Sequence, residues 1–328
     1  MILRTLAKWG NKLILISSIP EYASFCEEYD PFIYSLYKDS KYEEEVTWLI
    51  TTIQETPYSY DKSNLLKRLG FIYTVYSKYD AARINLENAL SIDISNKDEV
   101  GIFKSRMFLS DLYLKNSFFG KAHNNIEKSL KLSKKLYGIN SPETAKIYNF
   151  KGNLKYIRGE YEDAGKLFIE ALKINENGFC SNDFDIIKNV IDLSMFYLYD
   201  DNYILSLLLN NKAKNMATKA FSNSGVLMAE ITHSRSELLF NQGKIQEAKL
   251  LALQAMKLNS IFFGKNSQNY YMSILFLGLI NLEQGQYMAA TELISKEKII
   301  AASYAHKDHL DTANLSLFAS LIFIRHLS

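Results

Sequence analysis

A small side chain returns at a nearly constant interval along most of this 328-residue chain, first after 40 residues and then four times after 42. These residues are Gly70, Ser110, Gly152, Ser194, Ser236 and Gly278. A second small residue follows each of them by 12 positions, at Ala82, Ala122, Ala164, Ser206, Ala248 and Ala290. A large apolar residue stands three positions before each member of the second set, at Tyr79, Phe119, Tyr161, Tyr203, Ile245 and Tyr287. Such a period predicts stacked copies of one supersecondary unit, each of which buries its apolar face against its neighbours.

Each unit is expected to be a pair of antiparallel helices, which we call helix A and helix B. Apolar residues recur at helical spacing and are interrupted by a short polar or glycine-bearing turn. In the third unit this pattern predicts helix A over residues 143–158, a turn at Gly159 and Glu160, and helix B over residues 161–175. Ser141 and Pro142 are typical of a helix start, because serine accepts a hydrogen bond from the first turn and proline fits the first helical position.

The small residues are expected where helix A crosses helix B. Two packed helices lie about 8–10 Å apart, and the contact side chains set the distance. Gly152 and Ala164 would permit a close crossing in the third unit. Tyr161, the aromatic residue that opens helix B, is expected to fill the space beside them.

These residues resemble the tetratricopeptide repeat family. The clearest copies are Leu69, Gly70 and Tyr73 followed by Tyr79, Ala82, Leu86 and Ala89, and Gly152 followed by Tyr161, Ala164, Phe168 and Ala171. The 42-residue period and the segment 137–145 are similar to the longer repeats of kinesin light chains and their bacterial relatives. The resemblance implies an all-α fold, an α-α superhelix of about six to seven helical hairpins with a C-terminal apolar helix.

The repeats are clear over residues 63–297, within an array that we assign to residues 26–328. A last apolar helix is predicted over residues 308–327 without a helix B to cover it. We expect that a partner or a second copy of the chain covers that face, or that the sequence is a fragment of a longer chain. Residues 1–25 are expected to form an N-terminal helical segment. The alternative is a weak export signal, because three basic residues precede a short apolar stretch. We therefore expect a cytoplasmic protein, or an exported one if this segment is a signal.

A concave binding groove is implied by the resemblance, since helix A residues line the inner side of tetratricopeptide arrays and bind extended peptides there. The groove candidates are Lys67, Lys104, Asp111, Lys115, Lys146, Asn149, Asn153, Tyr156, Lys188, Tyr199, His233, Glu237 and Asn241. Asparagine amides can bond both the donor and the acceptor of a peptide backbone. The alternative is that these residues only form solvated helix faces.

Several functional classes are disfavoured by composition. The chain has 38 basic and 36 acidic residues without a basic stripe, so no nucleic-acid partner is expected. It has no apolar stretch of about 20 residues that would give a stable membrane span. Its two cysteines are far apart, and the only His/carboxylate cluster, residues 306–311, lacks a third ligand at helical spacing. We therefore expect no metal, no cofactor and no catalytic residues.

The sequence favours a non-catalytic scaffold or adaptor that binds a partner peptide or protein of unidentified sequence in the groove. The alternative is a regulatory peptide receptor, or a recruitment module that acts with a separate effector such as a protease, because bacterial quorum-sensing receptors use similar helical repeats.

Overall fold

The computed structural model describes residues 42–57, 59–177, 183–221 and 225–302, together with residues 309, 311, 313, 316 and 317. Thirteen α-helices and no β-strands occur in these residues. The helices are α1 (Tyr42–Glu55), α2 (Tyr60–Val75), α3 (Tyr79–Ser95), α4 (Glu99–Lys115), α5 (Phe119–Leu136), α6 (Pro142–Ile157), α7 (Tyr161–Asn177), α8 (Asp183–Tyr199), α9 (Tyr203–Phe221), α10 (Val226–Asn241), α11 (Ile245–Phe262), α12 (Gln268–Glu283) and α13 (Tyr287–Ala302). The predicted all-α fold class is confirmed.

Six helical hairpins follow one another, each made of an A helix and a B helix. Unit one is α2–α3 and unit six is α12–α13, with the four others in chain order between them. Every B helix begins at the large apolar residue that the repeat pattern marks, from Tyr79 in unit one to Tyr287 in unit six. The helix α1 begins in the same way at Tyr42 and packs against α2.

In the turn after each A helix, the residue two positions before helix B begins has a positive φ. Units three, five and six use glycine there, as at Gly159, where φ is +77°. Units one, two and four use residues with a side chain instead, as at Ser117, where φ is +58°. The next N–H closes the turn on the last helical carbonyls, as in the bond of 2.9 Å from Phe118 N to Tyr113 O.

The predicted helix start of unit three is present. Pro142 is the first residue of α6, and the Ser141 hydroxyl accepts a hydrogen bond of 3.2 Å from the backbone N–H of Thr144. Ser267 caps α12 in the same way and accepts from Tyr270 N at 3.3 Å. These caps satisfy N–H groups that otherwise have no partner within the helix.

The crossing of helices A and B lies at the two small residues of each unit. Ser194 Oγ donates to Ser206 O at 2.9 Å, and Ser236 Oγ donates to Ala248 O at 2.5 Å. A serine hydroxyl therefore reaches the backbone of the partner helix directly, which requires a close approach of the two helices.

The residue that fills the space above the small side chain differs from the expectation. A Cβ placed on Gly152 would lie 2.5 Å from Phe168 Cε1, so Phe168 occupies this space. Gly70 makes the equivalent room for Leu86 in unit one. The prediction that Tyr161 fills the wedge was wrong, because Tyr161 is 47% exposed and contacts other tyrosines at the end of the hairpin. The filling residue lies four positions after the second small residue, one helical turn further along helix B.

The two ends of the array meet, although nearly 190 residues separate them in the sequence. The Tyr79 hydroxyl donates to Gln268 Oε1 at 2.6 Å, and Gln268 N donates to Ser77 Oγ at 3.0 Å. His309 Nε2 lies 3.0 Å from Lys115 O and its ring stacks on Tyr79. These contacts, which we call the end clasp, join units one and two to unit six, so the superhelix closes on itself within one turn.

Two predicted segments lie outside the described residues. They are the N-terminal segment 1–25 and most of the terminal helix 308–327, including all but Leu317 of the apolar residues expected to mediate self-association. Both cysteines also lie outside them. Within the described residues, every helix is too short or too polar to cross a membrane.

Candidate functional site

The A helices line the inner side of the superhelix. Contacts between successive A helices recur from α2 through α4, α6 and α8 to α10, whereas successive B helices approach one another less. Elements on the inside of a curve follow a shorter path and must lie closer together. The inner surface of units three to five therefore consists of side chains from α6, α8 and α10.

A polar network connects these three helices on their inner surface. Asn149 Nδ2 donates to Asp192 Oδ2 at 2.8 Å, and Asn153 Nδ2 donates to the same oxygen at 3.3 Å. Asn189 Nδ2 donates to Asn149 Oδ1 at 2.7 Å. Lys188 continues the network, because its ammonium pairs with Asp192 at 3.3 Å and also with Glu230 on α10.

We call this network of Asn149, Asn153, Lys188, Asn189, Asp192 and Glu230 the groove network. Two further ion pairs border it. Lys146 pairs with Asp185 at 3.1 Å, and His233 Nε2 lies 3.2 Å from Glu237 Oε1. The structure thus brings together most of the candidates from units three to five. It also adds Asn189, Asp192 and Glu230, which sequence reasoning missed. A signal was present, since Asp192 follows Lys188 by four residues and Glu230 follows it by 42.

Burial and neighbouring charges shift the pKa values in the groove network. Burial alone would lower the pKa of Lys188, but the carboxylates of Asp192 and Glu230 outweigh it and raise that pKa above its ordinary value. Burial also raises the pKa of Asp192, against the opposing effect of Lys188 and of the two asparagine amides. For His233, burial is outweighed by the hydrogen bond and charge of Glu237, so its pKa is raised.

Two buried polar atoms in this region have no hydrogen-bond partner among the described residues. They are Asn189 Oδ1 and His233 Nδ1. Buried polar atoms in folded proteins nearly always have a partner, so each exception needs a reason. An acceptor such as Asn189 Oδ1 matches an amide N–H, which is the donor that every peptide residue except proline offers.

The candidates of units one and two are placed differently. Lys67 does not face the groove, because it is 2% exposed and pairs at 3.1 Å with the equally buried Asp93 on helix B of its own unit. Lys67 is therefore not part of the candidate groove surface. Lys104 is exposed, and Asp111 pairs with Lys115 at 3.0 Å within α4.

The remaining candidates are aromatic or lie at a helix end. Tyr156 and Tyr199 meet Tyr161 in a ring cluster at the ends of α6 and α8. Asn241 is exposed, and its amide donates to Glu237 O of its own helix at 2.9 Å.

The His/carboxylate cluster at residues 306–311 takes part in the end clasp. His309 Nδ1 accepts from Asp311 N at 3.1 Å, and the Asp311 carboxylate accepts from Gln268 Nε2 at 2.8 Å. The ring of His309 thus bonds the backbone N–H of Asp311, while the Asp311 carboxylate binds Gln268. In the described part of the chain, no three His, Cys, Asp or Glu residues lie close enough together to hold a metal ion.

The repeated hairpins, the A helices on the inside and the small residues at each crossing define an α-solenoid of the tetratricopeptide type. No family model matches the chain, and no curated protein matches it. Solved structures do match it in fold. NprR in complex with its cognate peptide NprX is 17% identical, with a TM-score of 0.62, over 98% of this chain and 84% of that one.

Two Rap proteins are similar as well. The Rap conjugation gene regulator of plasmid pLS20, in complex with the Phr* peptide, is 11% identical over 86% of this chain and 80% of that one, with a TM-score of 0.58. The apo form of RapI is 17% identical over 77% of this chain and 88% of that one, with a TM-score of 0.56. At these identities the likeness establishes the fold, and the predicted tetratricopeptide resemblance is confirmed at that level.

Proposed function

We propose that this chain is a non-catalytic interaction scaffold that binds an extended peptide segment of a partner protein on the inner surface of units three to five. The observation that carries the proposal is the groove network, in which asparagine amides and charged groups from three successive A helices converge. The solved complexes of NprR with NprX and of a Rap protein with Phr* support it, because each pairs a similar fold with a peptide.

The mechanism is preorganised binding. The groove side chains are already held by one another and by rigid helices, so the peptide alone loses most of the conformational freedom. Asn153 is only half-buried and bonds Asp192 at the long distance of 3.3 Å, so its amide can exchange this bond for one with a peptide backbone.

The test is a selection from a random displayed peptide library, followed by calorimetric measurement of Kd for the selected peptides. Asn153→Ala is expected to weaken binding about tenfold, as the loss of one or two hydrogen bonds requires. Asn85→Ala is the matched control, because the Asn85 amide bonds Ala81 O on helix B of unit one, outside the groove. Equal affinities for the wild type and Asn153→Ala, or a selection that yields no binder, would argue against the groove.

A second candidate function, a regulatory peptide receptor with a separate effector, is favoured by the end clasp. A peptide on the inner surface of a closed superhelix touches several units at once, and any change in their relative angle is transmitted to the contact between units one and six. The measurement is small-angle X-ray scattering with and without a selected peptide. A changed radius of gyration favours the receptor, whereas an unchanged one favours the rigid scaffold.

A further inference from the structure

Three tyrosine rings meet at one end of units three and four. Tyr156 lies in the last turn of α6, Tyr161 opens α7, and Tyr199 ends α8. Their ring centroids are separated by 5.4 Å (Tyr156–Tyr161), 5.3 Å (Tyr156–Tyr199) and 6.3 Å (Tyr161–Tyr199). The rings of Tyr161 and Tyr199 are parallel within 8°, and Tyr156 stands nearly perpendicular to both. We call these three residues the tyrosine box.

Two rings of the tyrosine box lie outside the core, while Tyr156 is partly buried and packs against it. Tyr161 is 47% exposed and Tyr199 is 56% exposed, whereas Tyr79, at the same repeat position as Tyr161, is 3% exposed. Packing therefore does not require an aromatic ring at these two positions. Exposed aromatic rings that are held in a fixed arrangement are typical of binding surfaces.

One carboxylate acts on the box, that of Glu237, and it is also paired with His233, whose Nε2 lies 3.2 Å from Glu237 Oε1. Glu237, on the neighbouring helix α10, acts on Tyr156 and Tyr199. Burial is the larger cause of the raised pKa of both hydroxyls, and the Glu237 carboxylate raises both further. Among the described residues, no cationic group lies over these three rings, although Lys121 lies over Tyr113 and Lys134 over Tyr148 elsewhere. The nearby Lys155 is turned towards Glu160.

Electron-rich ring faces beside a carboxylate attract a cation and repel an anion. A cation that lies over the face of Tyr161 or Tyr199, within roughly 6 Å of the ring centroid, would gain cation–π attraction there. A guanidinium fits better than an ammonium, because its plane can stack on a ring while its N–H groups reach a carboxylate.

We propose that the tyrosine box binds the guanidinium of an arginine side chain in the peptide that occupies the groove. The inference rests on the proposed function for the presence of the peptide, and it adds the residue that the peptide carries at this end. It also predicts the direction of specificity: arginine is preferred over lysine, and both are preferred over a neutral residue of the same size.

The first experiment tests the box without any peptide. The probe is N-acetyl-arginine amide, titrated against the full chain and followed by the NMR signals of labelled tyrosine rings. N-acetyl-citrulline amide, which has nearly the same shape but no charge, is the control ligand. Saturable shifts with arginine and none with citrulline support the proposal. Equal responses to both ligands, or no response to either, overturn it, and neither result affects the proposed function.

The second experiment uses the displayed peptide library. Arginine is expected to be enriched at one position with the wild type and not with Tyr161→Leu/Tyr199→Leu, and the double variant should bind the selected peptides about tenfold more weakly. Both positions are exposed, so the variant is expected to fold. The variant Tyr161→Phe should keep the arginine preference of the wild type, because the ring rather than the hydroxyl makes the contact.

The control variant is Trp48→Leu. Trp48 is an exposed aromatic residue on α1, outside units three to five. It should leave the arginine preference unchanged. Selected peptides that bind with no basic preference, or with the same preference in wild type and double variant, would overturn the box and leave the scaffold in place. A library from which nothing binds would instead count against the proposed function, and the titration with arginine amide would then decide the box by itself.

Discussion

The close crossing of helices A and B predicts that adding one methyl group at Gly152 destabilises the protein. A Cβ at this position would lie 2.5 Å from Cε1 and 2.7 Å from Cδ1 of Phe168, far inside the separation of about 3.5–4.0 Å that carbon atoms prefer. Phe168 is 1% exposed and surrounded by core residues, so it cannot turn away freely.

Two opposing effects set the magnitude for Gly152→Ala. Alanine favours a helix over glycine by about 1 kcal/mol. Overpacking a filled core by one methyl group costs about 1–3 kcal/mol. The clash is the larger effect, so the net loss of unfolding free energy should be about 0–2 kcal/mol.

The matched control is Gly120→Ala. Gly120 lies in the first turn of helix α5, and a Cβ there meets nothing within 4 Å. This variant therefore gains helix propensity without a clash and should be as stable as the wild type or up to about 1 kcal/mol more stable. The difference between the two variants isolates the clash.

The assay is urea unfolding followed by circular dichroism at constant protein concentration. The midpoints of two variants can be compared if their unfolding free energies fall with urea concentration at the same slope. Adding Phe168→Leu to Gly152→Ala should recover part of the loss, which would appear as a favourable coupling energy of about 1 kcal/mol. The reasoning is refuted if Gly152→Ala proves at least as stable as Gly120→Ala.

Three further predictions concern stability, each measured by denaturant unfolding. Lys67→Met should lower the free energy of unfolding by about 3–5 kcal/mol, because Asp93 is left as a buried unpaired charge. The double variant Lys67→Met/Asp93→Leu should recover most of this loss. An unchanged stability of the single variant would contradict the buried pair. Lys97→Gly should stabilise the protein by roughly 1 kcal/mol, because Lys97 is exposed with φ of +57° in the turn after α3, and a loss would contradict this. The raised pKa of His233 means that its contribution is fully present below its ordinary value of 6.5 and is lost as the pH rises through the higher folded value. The stability difference between the wild type and His233→Gln should therefore be larger at low pH, whereas a constant difference would exclude a charged pair with Glu237.

The helices and their boundaries could be predicted because they depend on local patterns. The aromatic residue that opens helix B at Tyr161 and the serine cap at Ser141 act within one helical turn, so their effects can be read from neighbouring positions. The approach at Gly152 was also predictable, since only a small residue fits a close crossing. The identity of the residue that fills it, Phe168, was not, because it depends on the rotation of helix B about its axis.

The candidate groove was predicted only in part. The candidates Asn149, Asn153 and Lys188, all on A helices, belong to one network of hydrogen bonds and ion pairs through Asp192. Lys67 has the repeat position of Asn149, and both are buried, but Lys67 pairs with Asp93 on the adjacent B helix whereas Asn149 bonds Asp192 on the next A helix. Repeat position determines which helix carries a residue, while the partner across the crossing determines where its side chain points.

The sequence by itself determined a helical-hairpin array, its period and the small residues at each crossing, since steric fit and hydrogen bonding within a hairpin involve residues close together in the chain. Only the tertiary structure decided how far the array curves. Curvature adds up small rotations between successive units, and this sum brings Tyr79 against Gln268 and gathers Tyr156, Tyr161 and Tyr199 into one box. No single repeat contains the information for either contact.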